Sequence, residues 1–333
     1  MQAVTVLGCG SWGSALAQCL ATQGHPVRAW HHHPDKVRQF ESTRRHPSLP
    51  GFQFADTIDF TPDLDESLNQ SRYVILAVPS HAIRTLAGQL RGKLEREAIL
   101  INVAKGVENG TLKTMSQVIR ETSGFGKEQI VTLYGPSHAE EVIQQLPTTL
   151  VAASTNLKAA EEVQFLFSSP ILRVYTNDDI LGVELGGSLK NVIAIAAGIC
   201  DGIGFGDNTK AALLTRGITE MTRLGVAMGA CKVTFSGLSG IGDLIATCLS
   251  RHSRNRFVGE KIGQGEPLEA VLAGMEMVAE GVKTAQSVHD LMEQYDVEMP
   301  ISRAVYQILF EAKDPKGAVT DLMTRNLTRE HNI

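Results

Sequence analysis

The sequence lacks any uninterrupted apolar stretch of the roughly 18 residues that a membrane span needs. Its richest run, Ile193–Ile199, is far shorter. It lacks an excess of basic charge: 31 Lys and Arg stand against 36 Asp and Glu, for a formal net charge of -5. Nucleic acid and anionic membrane surfaces both demand a basic face, so neither is an expected partner. No positive segment precedes the small, apolar stretch from Ala3 to Ala21, and the first basic residue is Arg28. A secretory signal is therefore not expected. The five cysteines (Cys9, Cys19, Cys200, Cys231 and Cys248) form no C-x-x-C pair. That excludes a disulfide framework or a zinc site as the first reading, so no metal is expected, and it points to reduced thiols in the cytoplasm. Repeats, low-complexity tracts and long linkers are absent as well.

What is present is an ordinary globular composition, 43% hydrophobic and 20% charged over 333 residues, long enough for two domains. The first half alternates short β-rich runs with helical stretches. Strands are expected at Ala3–Leu7, Val27–His31, Tyr73–Val78, Ile99–Val103, Ile130–Leu133, Thr149–Ala153 and Leu172–Tyr175. Several are apolar throughout, as strands covered on both faces of a parallel sheet are. Strand, helix, strand in repetition implies a doubly wound α/β sheet. From Asp178 onward only helical patterns remain, at Gly182–Ile199, Asn208–Met228, Ile241–Cys248, Arg254–Gln264, Leu268–Met275, Lys283–Tyr295, Ile301–Glu311 and Pro315–Met323. The expected division is a dinucleotide-binding α/β domain over 1–178 and a helical substrate domain over 179–333, with a ligand cleft between them.

The first strand runs directly into Gly8-Cys9-Gly10-Ser11-Trp12-Gly13, a G-x-G-x-x-G turn that opens a helix. Gly8 suits the tight turn, Gly10 lets backbone approach a pyrophosphate, and Gly13 permits close helix–strand packing. The helix N-terminus offers free N–H groups and partial positive charge to the phosphates. Ser11 and Trp12 lie in the turn, where they could line the nucleotide. NAD-preferring enzymes carry an acid at the end of the second strand, about 20 residues on. This chain has His31-His32-His33 there, and Asp35 comes late. Histidines would accept or attract a 2′-phosphate, which admits NADP beside NAD; the alternative is a solvated loop.

Lys190 is the residue most suggestive of chemistry. It interrupts a helix that is small and apolar on nearly every face. Burial lowers a lysine pKa, which suits a general acid/base near neutral pH. The alternatives are a lysine that snorkels to the surface or one paired with an acid such as Glu184. Asp243 follows a glycine-rich approach and reads equally as a helix N-cap or as a group that orients the lysine or a substrate hydroxyl. Arg251 to Arg256, which includes Ser253, Arg254 and Asn255, forms a basic, hydrogen-bonding cluster ahead of a helix. It reads as a phosphate cradle or a solvated face. Lys105 and the Gly135–Ser137 turn follow the fourth and fifth strands, at the carboxyl ends where open α/β sheets bind ligands.

Several motifs together resemble the bacterial-type NAD(P)-dependent glycerol-3-phosphate dehydrogenase family over nearly the whole chain. They are the Gly8–Ala17 turn, Ala104–Glu108, Gly135–Val142, Glu184–Val192, Gly237–Leu244, Ser253–Arg256 and Ala279–Val282. The resemblance implies a Rossmann-like N-terminal domain and an all-α C-terminal domain like that of 6-phosphogluconate dehydrogenase. It implies hydride exchange between NAD(P)H and dihydroxyacetone phosphate, giving sn-glycerol 3-phosphate for glycerophospholipid synthesis, with a homodimer left open. Lys190 would then move the proton, with Lys105, Asn191, Asp243 and Thr247 around it. Gly135, Ser137, Ser253, Arg254 and Asn255 would bind substrate. Ser11, Trp12, His32, His33, Lys105, Ala139, Arg254, Val278 and Glu280 would line the nucleotide site. Ser188 stands where the family commonly has alanine, and His138 where it often has phenylalanine. The competing readings are a related β-hydroxyacid or sugar-acid dehydrogenase and a non-catalytic dinucleotide sensor.

Overall fold

The computed structural model describes residues 2–275, 279–327, 329 and 330. The chain forms two compact units: Met1–Ala104 with Met115–Ile180, and Lys105–Thr114 with Leu181–Ile333. The segment Lys105–Thr114 therefore leaves the α/β unit and packs with the helices.

The first unit is an eight-stranded sheet. Its strands are β1 (Val4–Leu7), β2 (Val27–Trp30), β3 (Ile58–Thr61), β4 (Tyr73–Leu76), β5 (Ile99–Asn102), β6 (Ile130–Tyr134), β7 (Thr148–Ala153) and β8 (Leu172–Asn177), in the order β3-β2-β1-β4-β5-β6-β7-β8. Every neighbouring pair is parallel except β6–β7, which is antiparallel. The parallel pattern of the doubly wound sheet is interrupted at that one pair. The link between β6 and β7 holds only a four-residue helix, Ala139–Val142, too little to cross a sheet face and return in the same direction. β3 falls outside the expected strands because Ile58-Asp59-Phe60-Thr61 lies at the sheet edge and carries an exposed Asp59 instead of a continuous apolar run.

Helices α1 (Ser11–Thr22), α2 (Pro34–Thr43), α3 (Leu64–Leu68), α4 (Ile83–Gln89), α5 (Met115–Ser123), α6 (Ala139–Val142) and α7 (Leu157–Phe167) cover the sheet. A sheet wound on both sides needs two cores. Leu16, Leu20, Phe40, Val163 and Phe167 pack in one, and Leu76, Ile83, Leu86, Val118 and Ile119 in the other.

The second unit surrounds one long helix, α8 (Ile180–Ile203), with α9 (Asp207–Ala227), α10 (Asp243–Leu249), α11 (Arg254–Gly263), α12 (Leu268–Ala273), α13 (Glu280–Tyr295), α14 (Pro300–Phe310) and α15 (Pro315–Met323). α8 is buried continuously from Gly182 to Cys200, which is why it is apolar on every side. By length and composition it could cross a membrane, but 89% of its most apolar window lies inside the protein, so it serves as a core helix. Leu189, Ile193, Met221, Leu224, Val258, Val288, Leu291 and Val305 close the core around it. The buried carboxylate of Glu220 on α9 caps α14, accepting the N–H of Ile301 at 2.6 Å and of Ser302 at 3.0 Å.

α8 and α11 touch backbone to backbone. Gly198 and Gly202 on α8, and Gly259 and Gly263 on α11, are spaced by four and so share one face of each helix. A Cβ added at Gly198 would lie 1.9 Å from the Arg256 carbonyl oxygen, and one at Gly259 would lie 2.0 Å from that of Ile195. Gly198→Ala should therefore cost about 3 kcal/mol in urea unfolding, at the upper end of ordinary overpacking. Gly88→Ala on α4, where an added Cβ meets nothing within 4 Å, should instead stabilise by about 0.5–1 kcal/mol through helix propensity. Equal effects at the two positions would contradict the close crossing.

Candidate active site

In the first unit, β1 is followed directly by Gly8, whose φ of +112 only glycine adopts readily. A Cβ there would also strike the Ala77 carbonyl oxygen beyond β4 at 2.6 Å. Gly13 is equally constrained, since its Cβ would lie 2.0 Å from the Gly8 carbonyl oxygen. Gly10 is different: it is exposed, nothing stands within 4 Å of a Cβ built there, and it forms the N-cap of α1 without a side-chain cap. The first turn of α1 carries no acid. The helix thus presents its positive N-terminal end beside an open glycine, an arrangement that fits a dinucleotide pyrophosphate. Ser11 and Trp12 begin that helix, with Trp12 partly buried against the core. His46 steadies the turn. Its Nδ1 accepts the Ser48 N–H at 3.2 Å, so its Nε2 donates to the Cys9 carbonyl at 3.1 Å.

At the end of β2, the rings of His31, His32 and His33 pile together, with centroids 4.9 Å apart for the first two and 3.8 Å for the last two. Burial, then repulsion from the other two rings, pushes His31 down to about 4. Burial followed by His33 lowers His32 as well. These two rings are neutral at pH 7, so they would meet a 2′-phosphate as hydrogen-bonding groups rather than as standing charges. Asp35, the late acid, lies in the first turn of α2 and pairs with Arg38.

Gly135 follows β6 with φ +139, and Ser137 donates its hydroxyl back to the Gly135 carbonyl at 3.0 Å. Ala139 is the first residue of α6. Nearby, Asn102 at the end of β5 accepts the Ala104 N–H at 3.0 Å and donates to the Tyr134 hydroxyl at 3.2 Å. Tyr134 donates in turn to the Ala104 carbonyl. This network fixes the residue that precedes Lys105. It was not anticipated, although a lone asparagine ending the strand Ile99-Leu100-Ile101-Asn102 was a usable signal.

The second unit joins four of the expected residues into one buried cluster. Lys190, only 5% exposed on α8, reaches Asp243 Oδ1 at 2.7 Å and donates to the Thr247 hydroxyl. Lys105 Nζ lies 2.6 Å from the other carboxylate oxygen, Asp243 Oδ2. Thr247 donates to Asp243 Oδ1 at 3.2 Å. The acid beside Lys190 is thus Asp243 rather than Glu184. The N-cap reading of Asp243 is also corrected. A π-helical turn over Leu238–Gly242 leads straight into α10, and Gly242 occupies the cap position. The carboxylate is thereby free to face the lysines. Burial pushes Lys190 down to about 8; Asp243 opposes that shift and Lys105 adds to it. Burial would raise the Asp243 carboxyl, but Lys105 and Lys190 together outweigh it and hold it below its usual range. Asn191 is buried one residue on, and its backbone carbonyl faces Gly281.

Ser253 caps α11 by accepting the Arg256 N–H at 3.2 Å. Arg254 is exposed on the first turn of that helix. Asn255 is buried and accepts the Gly281 N–H at 2.9 Å, tying α11 to the start of α13, where Glu280 stands. Arg256 is not part of a phosphate cradle, because Asp201 at 2.7 Å and Glu260 at 3.5 Å hold it in structural ion pairs. Val278 lies outside the described residues.

An open dinucleotide turn on a doubly wound sheet, together with a helical unit that buries a lysine of depressed basicity, defines a nicotinamide-dependent dehydrogenase. Comparison narrows the class. Residues 3–160 match the model of the NAD-dependent glycerol-3-phosphate dehydrogenase N-terminus, and residues 179–320 that of its C-terminus. The glycerol-3-phosphate dehydrogenase, NAD(P)+, of Pelodictyon phaeoclathratiforme is 51% identical over 99% of both chains. The crystal structure of glycerol-3-phosphate dehydrogenase from Coxiella burnetii is 35% identical, with a TM-score of 0.92 over 97% of this chain and 99% of that one. A ketopantoate reductase from Ralstonia eutropha shares the fold alone, at 14% identity and a TM-score of 0.62. The chain belongs to the NAD-dependent glycerol-3-phosphate dehydrogenase family.

Proposed function

We propose that the chain interconverts dihydroxyacetone phosphate and sn-glycerol 3-phosphate with NADH or NADPH, and that Lys190 moves the proton at the substrate C2 oxygen. The observation that carries this reading is the buried amine of Lys190, seated between Asp243 and Thr247 with its pKa lowered to about 8. An amine poised there gives up and regains a proton near neutral pH. When bound, the nicotinamide supplies or takes the hydride. Residues 1–178 hold the nucleotide in this reading. Gly8, Gly10 and Gly13 shape the pyrophosphate turn, while Ser11, Trp12, His32, His33 and Ala139 line the site, with Arg254, Val278 and Glu280 contributing from the other segment. Residues 179–333 carry the substrate chemistry. Lys105, Asn191, Asp243 and Thr247 hold and polarise the substrate oxygens. Ser253, Arg254 and Asn255, with Gly135 and Ser137, take the phosphate end, where arginine and helix N–H groups suit a dianion. A cytoplasmic setting, a homodimeric assembly and supply of glycerophospholipid synthesis complete the reading; family likeness supports them.

The test follows NADH and NADPH consumption separately. Dihydroxyacetone phosphate should be reduced, and unphosphorylated dihydroxyacetone should lose about 100-fold in kcat/KM, because a site built for charged hydrogen bonds rejects the analogue that lacks them. Turnover of a β-hydroxy acid without turnover of the phosphorylated ketone would overturn the assignment. Nucleotide binding with no turnover of either would favour a sensor.

A further inference from the structure

Lys105 is a long side chain that carries about 2 kcal/mol of rotamer entropy, yet its ammonium must stay on one oxygen of a buried carboxylate. Something has to hold its backbone. The segment Lys105–Thr114 is a small closed loop: Val107 pairs with Thr114 in an isolated bridge, and the Glu108 N–H donates to the Lys113 carbonyl at 2.9 Å. Val107 is buried in the helical core. Beneath the loop stands Ser287 of α13, with no exposed surface. Its single hydroxyl proton is shared between two acceptors, Asn109 Oδ1 at 2.9 Å and the Val107 carbonyl oxygen at 3.3 Å. This serine belongs to none of the motifs considered above, and it is a buried polar group that the proposed chemistry does not use.

We propose that Ser287 is a positioning residue for the proton-transfer site: by clamping the loop at Val107 and Asn109, it fixes Lys105 on Asp243 opposite Lys190. The proposal rests on the reading of Lys190 as the proton-transfer group. Asp243 divides its two oxygens between two ammonium groups. The groups facing Lys190 are Asp243, Thr247 and Cys248 from α10, and Lys105 from the loop. Lys105 works against the charged form of Lys190 both by repulsion and by sharing its counter-ion. Once the loop is unclamped, Lys105 swings away from Asp243, the carboxylate serves Lys190 alone, and Lys190 binds its proton more tightly. A serine that merely filled space would leave that titration unmoved.

The experiment compares Ser287→Ala, Asn109→Ala and Ser287→Thr with the unaltered protein, using near-UV circular dichroism to check that each folds. Two readouts are followed. One is the pH profile of kcat/KM for ketone reduction. The other, in the absence of ligand, is competitive acetylation of the lysine amines across pH, quantified by mass spectrometry. Ser287→Ala and Asn109→Ala should each raise the limb assigned to Lys190 by about half a pH unit or more, in the direction expected when a nearby like charge is lost. Lys105 should acetylate faster in both, kcat/KM should fall about 10-fold through lost orientation, and nucleotide KM should hold. Ser287→Thr, which keeps the hydroxyl, should restore both readouts. If the first variant fails to fold, Asn109→Ala decides, because Asn109 is exposed and the substitution removes the shorter of the two contacts to Ser287. Folded variants with unchanged Lys105 acetylation and an unchanged Lys190 titration would overturn the proposal. Absence of turnover in the unaltered protein would instead sink the functional reading, and the acetylation data would still decide whether Ser287 holds Lys105.

Discussion

Replacing Lys190 with alanine should lower kcat by about 10²–10⁴-fold, the span typical of a lost general acid/base, while nucleotide binding measured by fluorescence titration stays unchanged. The two effects separate because the glycine turn and α1 belong to the first unit and Lys190 to the second. Burial alone would make a lone lysine here an expensive passenger. Its contacts to Asp243 and Thr247 and its pKa near 8 give that burial a use. Both directions of the reaction should then titrate with the same group. Ketone reduction needs the ammonium as proton donor, so its rate should fall as pH rises through about 8. Alcohol oxidation needs the neutral amine, so its rate should rise through the same range. The alanine variant should lose both limbs together. Near-normal turnover in that variant, or limbs that survive in it, would remove Lys190 from the mechanism.

Local physics decided how far the sequence could be read. The β1–Gly8–α1 turn was legible because each glycine answers a constraint within a few residues: a positive φ at Gly8 and a contact between Gly13 and the Gly8 carbonyl. α8 was legible because a helix apolar on all sides has to be a central one. What failed was non-local. The direction of β7 depends on how a short link returns to β6, and nothing within Thr148–Ala153 encodes it. Asp243 sits in a context that suits capping equally well, and only the π-helical turn ahead of it moves the cap to Gly242. Arg256 looked like part of an anion site until Asp201, far away in sequence, took it. The histidines at the end of β2 suggested attraction for a 2′-phosphate, but burial, reinforced by the neighbouring rings, lowers both His31 and His32. Lys105 and Asp243 are 138 positions apart, so the cluster they share with Lys190 came from family resemblance rather than from spacing.

Asp243→Asn tests whether that cluster is an electrostatic unit. The carboxylate is 2% exposed and stands between Lys105 at 2.6 Å and Lys190 at 2.7 Å. Asparagine keeps the size and one acceptor oxygen but leaves two ammonium groups facing each other without an anion. Removing one partner from a buried charge cluster costs about 3–5 kcal/mol, so chemical denaturation near neutral pH should register a loss of that order. The pH dependence gives the sign. In the parent protein the Asp243 carboxyl is held below its ordinary value, so its stabilisation is present above that value and lost as pH falls through the lowered one. That acid-side loss should vanish in the variant. On the alkaline side the variant should regain stability as Lys190 sheds its proton, because a neutral amine no longer repels Lys105. Asp243 is also the strongest influence that keeps Lys190 charged, so the limb near 8 should move to lower pH, weakening ketone reduction more than alcohol oxidation at neutral pH. A structural carboxylate would produce the stability loss without displacing the limb. The two curves measured together therefore distinguish a counter-ion that sets the proton affinity of Lys190 from one that only holds three side chains in place.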